Sequence, residues 1–540
     1  MKCCLTPAGG HSTITFSMAQ ETHKVARAAA VMMVAIFVSR VLGQLRDTAI
    51  AAWFGQNAYT DVYRAAFSIP DLLFFLIAGG ALSSSFVPVF TEYLTRGQEA
   101  EAWKVFSVVA TFMTLVVTGL VLIGEVFARQ LVPLIAPGFQ PWQLDMTATL
   151  TRIVLPAQIC FFLGGLMMAT LYVRGHFLVP ALGPIIYNLG IIAGGWMLGE
   201  QLGVAGLSWG ALFGAIVGNL LLQMAFLRRV GVRYAFSLDL KHPGVVKVGK
   251  LVLPVILGLS LPQVFVLINR AFASLLPPGA VSALDNANKQ MQAPLGIFAQ
   301  AISIAVFPTL SAQVARGDME AFRRTLLQGL RALWFLTLPV SVLMIILSTD
   351  IVSILLQYKK FTAYDTRITA EALVFYCIGL FAFSSQAILN RAFYAVQDTV
   401  TPVVIGTLTT LVFIPLNWWL MGPLAHKGLA LAGSIAAILH VAWMLYALRK
   451  KVQIPIHRLW LPLTKVVFIS FVSAGVGYLI RHELSAWLQL LQWHPKLVSL
   501  CNIVVVSLAS GGVYLALARL LGAEEVGYAL KVIRRRPQGG

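Results

Sequence analysis

Long apolar stretches follow one another along almost the whole chain and are separated by short polar breaks. A helix needs about 20 mostly apolar residues to cross a bilayer, and these stretches have that length. They are continuously apolar rather than alternating, which argues against membrane-spanning strands. The pattern predicts an all-α polytopic membrane protein with about 14 transmembrane helices. The predicted spans are 27–54, 62–92, 104–127, 148–173, 179–199, 204–227, 248–276, 284–314, 326–348, 368–395, 401–421, 428–448, 460–481 and 498–520.

Charged residues, glycines, prolines and a tyrosine recur at nearly constant distances along the chain, which indicates an internal duplication. The residue numbers differ by 224 in one set (270 less 46), by 220 in a second (308 less 88) and by 222 in a third (394 less 172). Six spans in each half predict two pseudo-symmetric six-helix lobes related by an axis along the membrane normal, plus two C-terminal helices. The repeated pairs are Arg46/Arg270, Gly55/Gly279, Asp61/Asp285, Pro70/Pro294, Pro88/Pro308, Arg96/Arg316, Gly97/Gly317, Tyr172/Tyr394, Pro180/Pro402 and Gly206/Gly428.

These patterns divide the chain into six segments. The longest polar connections are 228–247, 315–325, 349–367 and 449–459, and the first of them separates the two halves. The segments are a cytoplasmic N-terminal extension (1–23), an N-lobe (24–230), a cytoplasmic linker (231–247), a C-lobe (248–450), helices 13 and 14 (451–521) and a basic cytoplasmic tail (522–540).

Composition agrees with a membrane protein. Of the 540 residues, 58% are hydrophobic and 11% charged, and the mean hydropathy is +0.81, which excludes a soluble domain of this length. The net charge of +19 could suggest nucleic acid, but the basic residues form no stripe interleaved with aromatics. They concentrate in alternate loops, so the positive-inside rule predicts that both termini are cytoplasmic.

Charged residues inside the apolar spans are the strongest functional signal, because each costs at least about 2.5 kcal/mol at bilayer depth. They concentrate in spans one, two, seven and eight. At about 1.5 Å of rise per residue, Arg40 lies roughly 20 Å beyond Arg27, near the midplane and out of reach of the interface. The excess is cationic, and arginine forks suit phosphate. The candidate substrate-binding residues are Arg40, Arg46, Asp61, Arg64, Arg270 and Lys289, with Asp47, Asp71 and Asp285 as nearby acids.

For Arg46 with Asp47 and for Asp61 with Arg64, a purely interfacial position is an alternative to a position in a binding cavity.

No set of residues with the spacing of a known catalytic motif competes with a binding role. The nine histidines lack metal-ligand spacing, and the five cysteines indicate neither a disulfide framework nor a metal site. The pairs Gly79-Gly80 and Gly194-Gly195 are better explained by close helix packing than by a phosphate loop.

Several motifs resemble the MurJ/MviN family of lipid II flippases, over about residues 24–520. The motifs are SRVLGQLRD (Ser39–Asp47), Thr60-Asp61, Pro70, AGGALSSSFVPVF (Ala78–Phe90), APGF (Ala136–Phe139), the QYxxFT pattern (Gln357–Thr362) and FYAVQDTVTPV (Phe393–Val403). The resemblance implies the multidrug/oligosaccharidyl-lipid/polysaccharide exporter fold, a cationic central cavity, and a lipid-tail groove formed by helices 13 and 14.

The resemblance also implies the substrate and the setting. Lipid II, an undecaprenyl-pyrophosphate-linked peptidoglycan precursor, would be flipped outward by alternating access in the bacterial inner membrane during cell wall biogenesis. Arg40, Arg46 and Asp61 match essential cavity residues of the family, and Lys289 stands where the family has an arginine. In the second span, Phe74-Phe75 and Gly79 stand where many members carry charged residues, so pyrophosphate contact from that helix is not expected.

The remaining expectations concern energy, partners and alternatives. The chain is not expected to be an enzyme, and it carries no motif for a nucleotide or other cofactor. The membrane potential, with or without a coupling cation, would drive transport. Expected partners are lipid II, membrane lipids and other cell-wall synthesis proteins, with the chain itself a monomer and no nucleic acid bound. The alternative functions are export of another polyprenyl-linked saccharide and drug/cation antiport; the latter would favour a cavity dominated by carboxylates.

Overall fold

A computed structural model of the protein describes residues 11–77 and 81–523, without the side chains of 11–30, 76–77, 81–84 and 253–262. Several predictions lie wholly or partly outside these residues: the extension 1–23, the basic tail 522–540 and the substitution at Gly79. Every regular element in the described residues is a helix, which confirms the all-α class.

The described residues form 21 α-helices, two of which continue through a short π-helical turn, Ala215–Leu221 after α9 and Leu295–Ala299 after α12. The helices are α1 (His11–Phe54), α2 (Ala58–Ala66), α3 (Ser68–Ile77), α4 (Ala81–Thr95), α5 (Glu99–Ile135), α6 (Pro141–Val154), α7 (Ala157–Val173), α8 (Leu178–Leu202), α9 (Ala205–Gly214), α10 (Leu222–Arg229), α11 (Pro243–Ser274), α12 (Ala280–Pro294), α13 (Gln300–Ala315), α14 (Met319–Ile346), α15 (Ser348–Leu356), α16 (Ala363–Ile378), α17 (Leu380–Ala395), α18 (Val400–Leu424), α19 (His426–Val452), α20 (His457–Leu490) and α21 (Pro495–Leu520).

Ten helices in the described part of the chain are long and apolar enough to cross a membrane, and α16 with α17, bent by 47°, makes an eleventh. The chain is therefore polytopic, whereas the number fourteen stays a prediction. The three predicted spans outside this set are the first, second and seventh. Those spans carry charged residues such as Arg40, Arg64 and Arg270, and the second also includes residues that the structure does not describe.

Two of the breaks inside the predicted spans lie near repeated prolines. In the second span, α2 ends at Ala66 and α3 begins at Ser68, with Pro70 in the first turn of α3. The π-helical turn after α12 follows Pro294, the repeat partner of Pro70. Proline removes a backbone hydrogen bond and clashes with the preceding turn, so each copy deviates from a regular helix close to this proline, before it in the first copy and after it in the second.

The predicted polar connection 349–367 is wrong in its first half, because it contains the helix α15. This helix has only nine residues and buries Asp350, Val352 and Leu356. A search for stretches long enough to cross a bilayer overlooks an apolar helix of this length.

The backbone supports the duplication at the turns between helices. Gly55 and Gly279 both adopt a left-handed conformation, which glycine reaches without a steric penalty. Three turns of the second half keep this conformation although the glycine has been replaced. The paired positive-φ positions, whose numbers differ by 224, 220 or 222 as in the sequence repeats, are Gly55/Gly279, Gly97/Gly317, Gly175/Gln397, Gly203/Ala425 and Gly231/Gln453.

Two compact units are present. The first comprises Met1–Ala49, Ile69–Ala128 and Ala148–Ser260, and the second comprises Ile50–Ser68, Arg129–Thr147 and Leu261–Gly540. The end of α1 and all of α2 thus pack with the second unit, although their sequence belongs to the first half. The lobe boundaries at 230 and 248 stay a prediction.

The first unit contains a seam of glycines between α8 and α9. A Cβ atom on Gly194 would lie 2.4 Å from the Gly206 carbonyl oxygen and 2.6 Å from the Gly210 Cα atom. A Cβ atom on Gly210 would meet the Gly190 carbonyl oxygen at 2.4 Å. The two backbones therefore touch directly, and Gly194 has the packing role that the sequence favoured over a phosphate loop.

The second unit has a large apolar core to which the terminal helices contribute. Leu459, Val466 and Ile469 of α20 are buried with residues of α14, α17 and α19. The Tyr514 hydroxyl of α21 donates a hydrogen bond to the Phe335 carbonyl oxygen at 2.8 Å. Removing α20 and α21 would expose this core, so a truncated chain is not expected to stay folded.

The glycine seam makes a testable prediction. Gly194→Ala should lower the unfolding temperature, because the added methyl group has only backbone to contact and the overpacking costs roughly 1 to 3 kcal/mol. The measurement is thermal unfolding in detergent, and the readout is the labelling of the buried thiols of Cys160 and Cys377 by a thiol-reactive dye as they become exposed. Gly119→Ala on α5 is the control, since a Cβ atom there meets nothing within 4 Å. Equal stability of the two variants would contradict the seam.

Candidate functional site

Arg46 is held in the first unit by partners on two helices. Its Nη1 donates to the Asn188 Oδ1 of α8 at 3.0 Å, and its Nη2 lies 3.2 Å from Asp47 Oδ1. Asn188 is fixed in turn, because its Nδ2 donates to the Pro184 carbonyl oxygen at 2.9 Å. The side chains of Arg46 and Asp47 are 21% and 7% exposed. Arg46 is therefore a largely buried, neutralised cation.

Arg40 lies in a different environment on the same helix. It is exposed, and among the described residues none forms a hydrogen bond or an ion pair with it. Its neighbours Phe37, Val41 and Leu45 are also exposed, at 68%, 43% and 51%. Arg40 thus interrupts an apolar face of α1 that no other part of the described first unit covers.

Asp61 stabilises the N-terminal end of α12 in the second unit. Its Oδ2 accepts a hydrogen bond from the Gly279 N–H at 2.6 Å, and its Oδ1 accepts one from the Ser282 N–H at 2.8 Å. The first N–H groups of a helix lack partners within the helix and carry the positive end of its dipole. Gly279 is the N-cap residue and has no side chain to satisfy them. The buried Asp61 carboxylate supplies the missing cap.

Arg64, one turn after Asp61 on α2, joins a buried amide network. Its Nη2 donates to Asn286 Oδ1 of α12 at 3.0 Å. The Asn286 Nδ2 donates to Gln56 Oε1 at 3.3 Å, and the Thr369 hydroxyl of α16 donates to the same oxygen at 3.0 Å. The Arg64 side chain is therefore buried and contacts α12.

Arg270 forms the ion pair of the second repeat. Its Nη2 lies 3.1 Å from Asp285 Oδ2, and its Nη1 donates to the Ser68 hydroxyl at 2.9 Å. The side chains of Arg270 and Asp285 are only 12% and 14% exposed. Lys289 is half-buried and follows Asp285 by one helical turn on α12.

The predicted residues therefore fall into separate local groups. Arg40 and Arg46 lie in the first unit, with Arg46 bound to Asp47. The second unit contains Asp61, Arg64, Arg270 and Lys289, all on or against α12. The amides Asn188 and Asn286 orient Arg46 and Arg64, and Gln56 binds Asn286. The sequence patterns did not predict these three amides. An amide within an otherwise apolar segment is the signal that would have found Asn188.

One departure from the family pattern and one recognised motif have structural explanations. Phe74 packs edge-on against Phe75 and Phe161, with ring centroids 5.6 Å apart in both pairs, so apolar packing replaces the charges expected there. In the loop after α17, burial alone would raise the pKa of the Asp398 carboxyl. Hydrogen bonds from Lys451 and Thr401 outweigh burial and lower that pKa to about 2.

Among the described residues, no group of three or more His, Cys, Asp or Glu side chains could hold a metal ion.

A family sequence profile described as "Lipid II flippase MurJ" matches residues 50–495. The chain belongs to the MurJ family.

Curated relatives support the membership. A "Lipid II flippase MurJ" of Burkholderia cenocepacia is 30% identical over 429 residues, which cover 77% of this chain and 82% of that one. A "Probable lipid II flippase MurJ" of Bdellovibrio bacteriovorus is 30% identical over 519 residues, which cover 94% and 97%. This MurJ-family chain therefore spans nearly the full length of its relatives.

Solved structures give the same result for the fold. A structure titled "Lipid II flippase MurJ, inward closed conformation" has a TM-score of 0.76 at 25% identity and covers 91% of this chain and 99% of that one. An inward-facing multidrug resistance MATE family transporter of the MOP superfamily has a TM-score of 0.62 at 10% identity, covering 78% and 98%. The second likeness shows the fold alone. Both confirm the exporter fold that the motifs implied, and the MurJ family is one of transporters.

The Asp61 cap can be tested by Asp61→Asn. The amide keeps the shape but offers one acceptor where the carboxylate offers two, so the free energy of unfolding should fall by about 1 to 3 kcal/mol. The measurement is chemical unfolding in detergent. Asp145→Asn is the control, because that carboxylate pairs with Arg129 at an exposed position and should change stability by less than about 0.5 kcal/mol. If the two variants lose the same stability, Asp61 is not a buried cap.

Proposed function

We propose that this MurJ-family chain carries lipid II from the cytoplasmic to the outer leaflet of the bacterial cytoplasmic membrane by alternating access. It does so as a multi-pass monomer with both termini in the cytoplasm, without breaking or forming a covalent bond. The profile match and the polytopic fold support transport, and the names of the relatives point to the substrate.

The observation that carries the proposal is the contrast between Arg40 and the other arginines. Arg46, Arg64 and Arg270 each contact a carboxylate or an amide oxygen. Arg40 contacts neither in the part of the chain that the structure describes, and it lies on a helix face that is otherwise apolar. A cation in that position costs at least about 2.5 kcal/mol in a bilayer, and a pyrophosphate would offset this cost. We assign Arg40 to the head group, with Arg46, Arg64, Arg270, Lys289 and Asp61 completing the binding set.

The terminal helices are proposed to hold the polyprenyl tail. Phe468 and Phe471 of α20 and Leu508 of α21 are more than half exposed, so each helix has an apolar face outside the core. Because the opposite faces of both helices belong to the core, point substitutions on the exposed faces test this role better than deletion does.

The membrane potential is the proposed energy source. The carboxylates of Asp61 and Asp285 are occupied by backbone N–H groups and by Arg270, so neither is open to a coupling cation in this conformation. A pyrophosphate carries roughly two negative charges, and an inside-negative potential favours outward anion movement by about 2.3 kcal/mol per charge per 100 mV. The potential would then supply on the order of 5 kcal/mol.

Arg40→Ala should abolish growth of a flippase-depleted strain while the protein still reaches the membrane in normal amounts. Arg40→Lys keeps the charge without the fork and should support growth partially. Complementation and membrane immunoblotting are the measurements. The control is Arg129→Ala, which removes an exposed cation paired with Asp145. Normal growth of the Arg40→Ala strain at normal expression would remove Arg40 from the site. Failure of the unmodified chain to complement would instead favour another polyprenyl-linked saccharide as substrate.

Collapse of the potential should stop flipping in vesicles that contain the purified chain and lipid II. Valinomycin with potassium removes the potential, whereas nigericin with potassium removes only the proton gradient and should slow flipping little. The measurement is the fraction of lipid II accessible from the opposite face. Flipping that persists at zero potential but needs a sodium gradient would refute the scheme and direct attention to Asp61 or Asp285.

A further inference from the structure

A polar cavity of about 470 Å³ lies in the second unit where α15, α20 and α21 meet. This volume is within the range of small-ligand pockets. The cavity is distant in sequence from the candidate site described above, and neither the motifs nor the charge pattern indicated it. Its walls combine charged, amide, hydroxyl and aromatic side chains: Asp350, Arg481, Asn502, Ser499, Tyr478 and Trp493.

Arg481 presents a guanidinium fork that is only partly used. Its Nε donates to Asp350 Oδ2 at 2.7 Å, with the two side chains 28% and 7% exposed. No other described residue accepts a hydrogen bond from its Nη1 or Nη2. Because Asp350 is buried and also accepts a hydrogen bond from Asn502 at 3.1 Å, the carboxylate orients the arginine while the Nη groups remain available. Such a fork suits a phosphate group.

Asn502 adds an unsatisfied acceptor. Its Nδ2 donates to Asp350 Oδ1 and to the Ser485 hydroxyl at 2.9 Å, which fixes the orientation of the amide. The side chain is 1% exposed, and its Oδ1 has no hydrogen-bond partner among the described residues. A buried carbonyl oxygen left unpaired costs roughly 1 to 3 kcal/mol, and a ligand hydroxyl would relieve that cost. The cavity thus offers donors for an anion beside an acceptor for a hydroxyl.

The rim of the cavity points to a ligand that is part of a lipid. Trp493, which lines the cavity, is 44% exposed. Trp487, Leu490, Leu491 and Leu497, which lie close to lining residues in the sequence, are also exposed. Exposed tryptophans at the ends of transmembrane helices mark the membrane interface, where phosphate head groups lie. By the positive-inside prediction, this end of α20 and α21 faces away from the cytoplasm.

We propose that the cavity at the ends of α15, α20 and α21 binds the head group of an anionic lipid that carries free hydroxyls beside its phosphate. The phosphate contacts the Nη groups of Arg481, and a hydroxyl donates to Asn502 Oδ1. Two lipids have this chemistry: phosphatidylglycerol of the bilayer, and lipid II after translocation. The site is tested by binding, so it does not depend on the proposed flipping activity.

The test is native mass spectrometry of the full chain in detergent, with the number of retained lipids counted. Phosphatidylglycerol, phosphatidylcholine of the same acyl chains, and lipid II are added separately. The unmodified chain should retain phosphatidylglycerol, lipid II or both at least roughly tenfold better than phosphatidylcholine, a difference of about 1.4 kcal/mol. A preference for phosphatidylglycerol over lipid II, or the reverse, identifies the source of the head group. Equal retention of all three lipids would overturn the proposal.

Variants locate the binding. Asp350→Asn combined with Arg481→Gln removes both charges without leaving one unpaired, and should abolish the preference. Arg481→Lys keeps the ion pair with Asp350 but loses the fork, so it remains informative if the double variant fails to fold. Arg519→Gln changes an exposed cation at the opposite end of α21 and is the control. Unchanged lipid preference in Arg481→Lys and in a folded double variant would also overturn the proposal. A cavity variant that loses the lipid preference but still supports normal growth would show that lipid binding at this site is not required for transport.

Discussion

The cost of placing a charge where water is scarce is the constraint on which the rest of this structure depends. Arg46, Arg64 and Arg270 each have a partner within hydrogen-bond distance, and the partner differs in every case. Asp61 is compensated without a cation, because the end of a helix neutralises it. The position of α12 and the positions of the buried amides Asn188 and Asn286 provide the partners that these charges need.

The duplication explains where these charges are but not what they contact. Arg46 and Arg270 are repeat partners, as are Asp61 and Asp285. In the second copy the arginine and the aspartate pair with each other. In the first copy Arg46 contacts Asp47 and Asn188, and Asp61 caps α12 instead. Equivalent positions have therefore kept the charge while their contacts have diverged.

The sequence was sufficient for the helical class, the family and the charged positions, because hydropathy and charge are local properties. It failed where the result depends on length or on distant contacts. The helix α15 is too short for a membrane-span pattern, and the break between α2 and α3 interrupts a predicted span. The role of Asp61 could not be predicted, since its partner is the backbone of Gly279 and Ser282, far away in the chain. Asn502 was missed for the same reason.

The direct backbone contact between α8 and α9 has a mechanical consequence. Side chains at a helix interface absorb displacement by changing rotamer, whereas a seam of Gly190, Gly194, Gly206 and Gly210 has no rotamers to change. A displacement of one of these helices is therefore transmitted directly to the backbone of the other, and we expect the two helices to move as one rigid body.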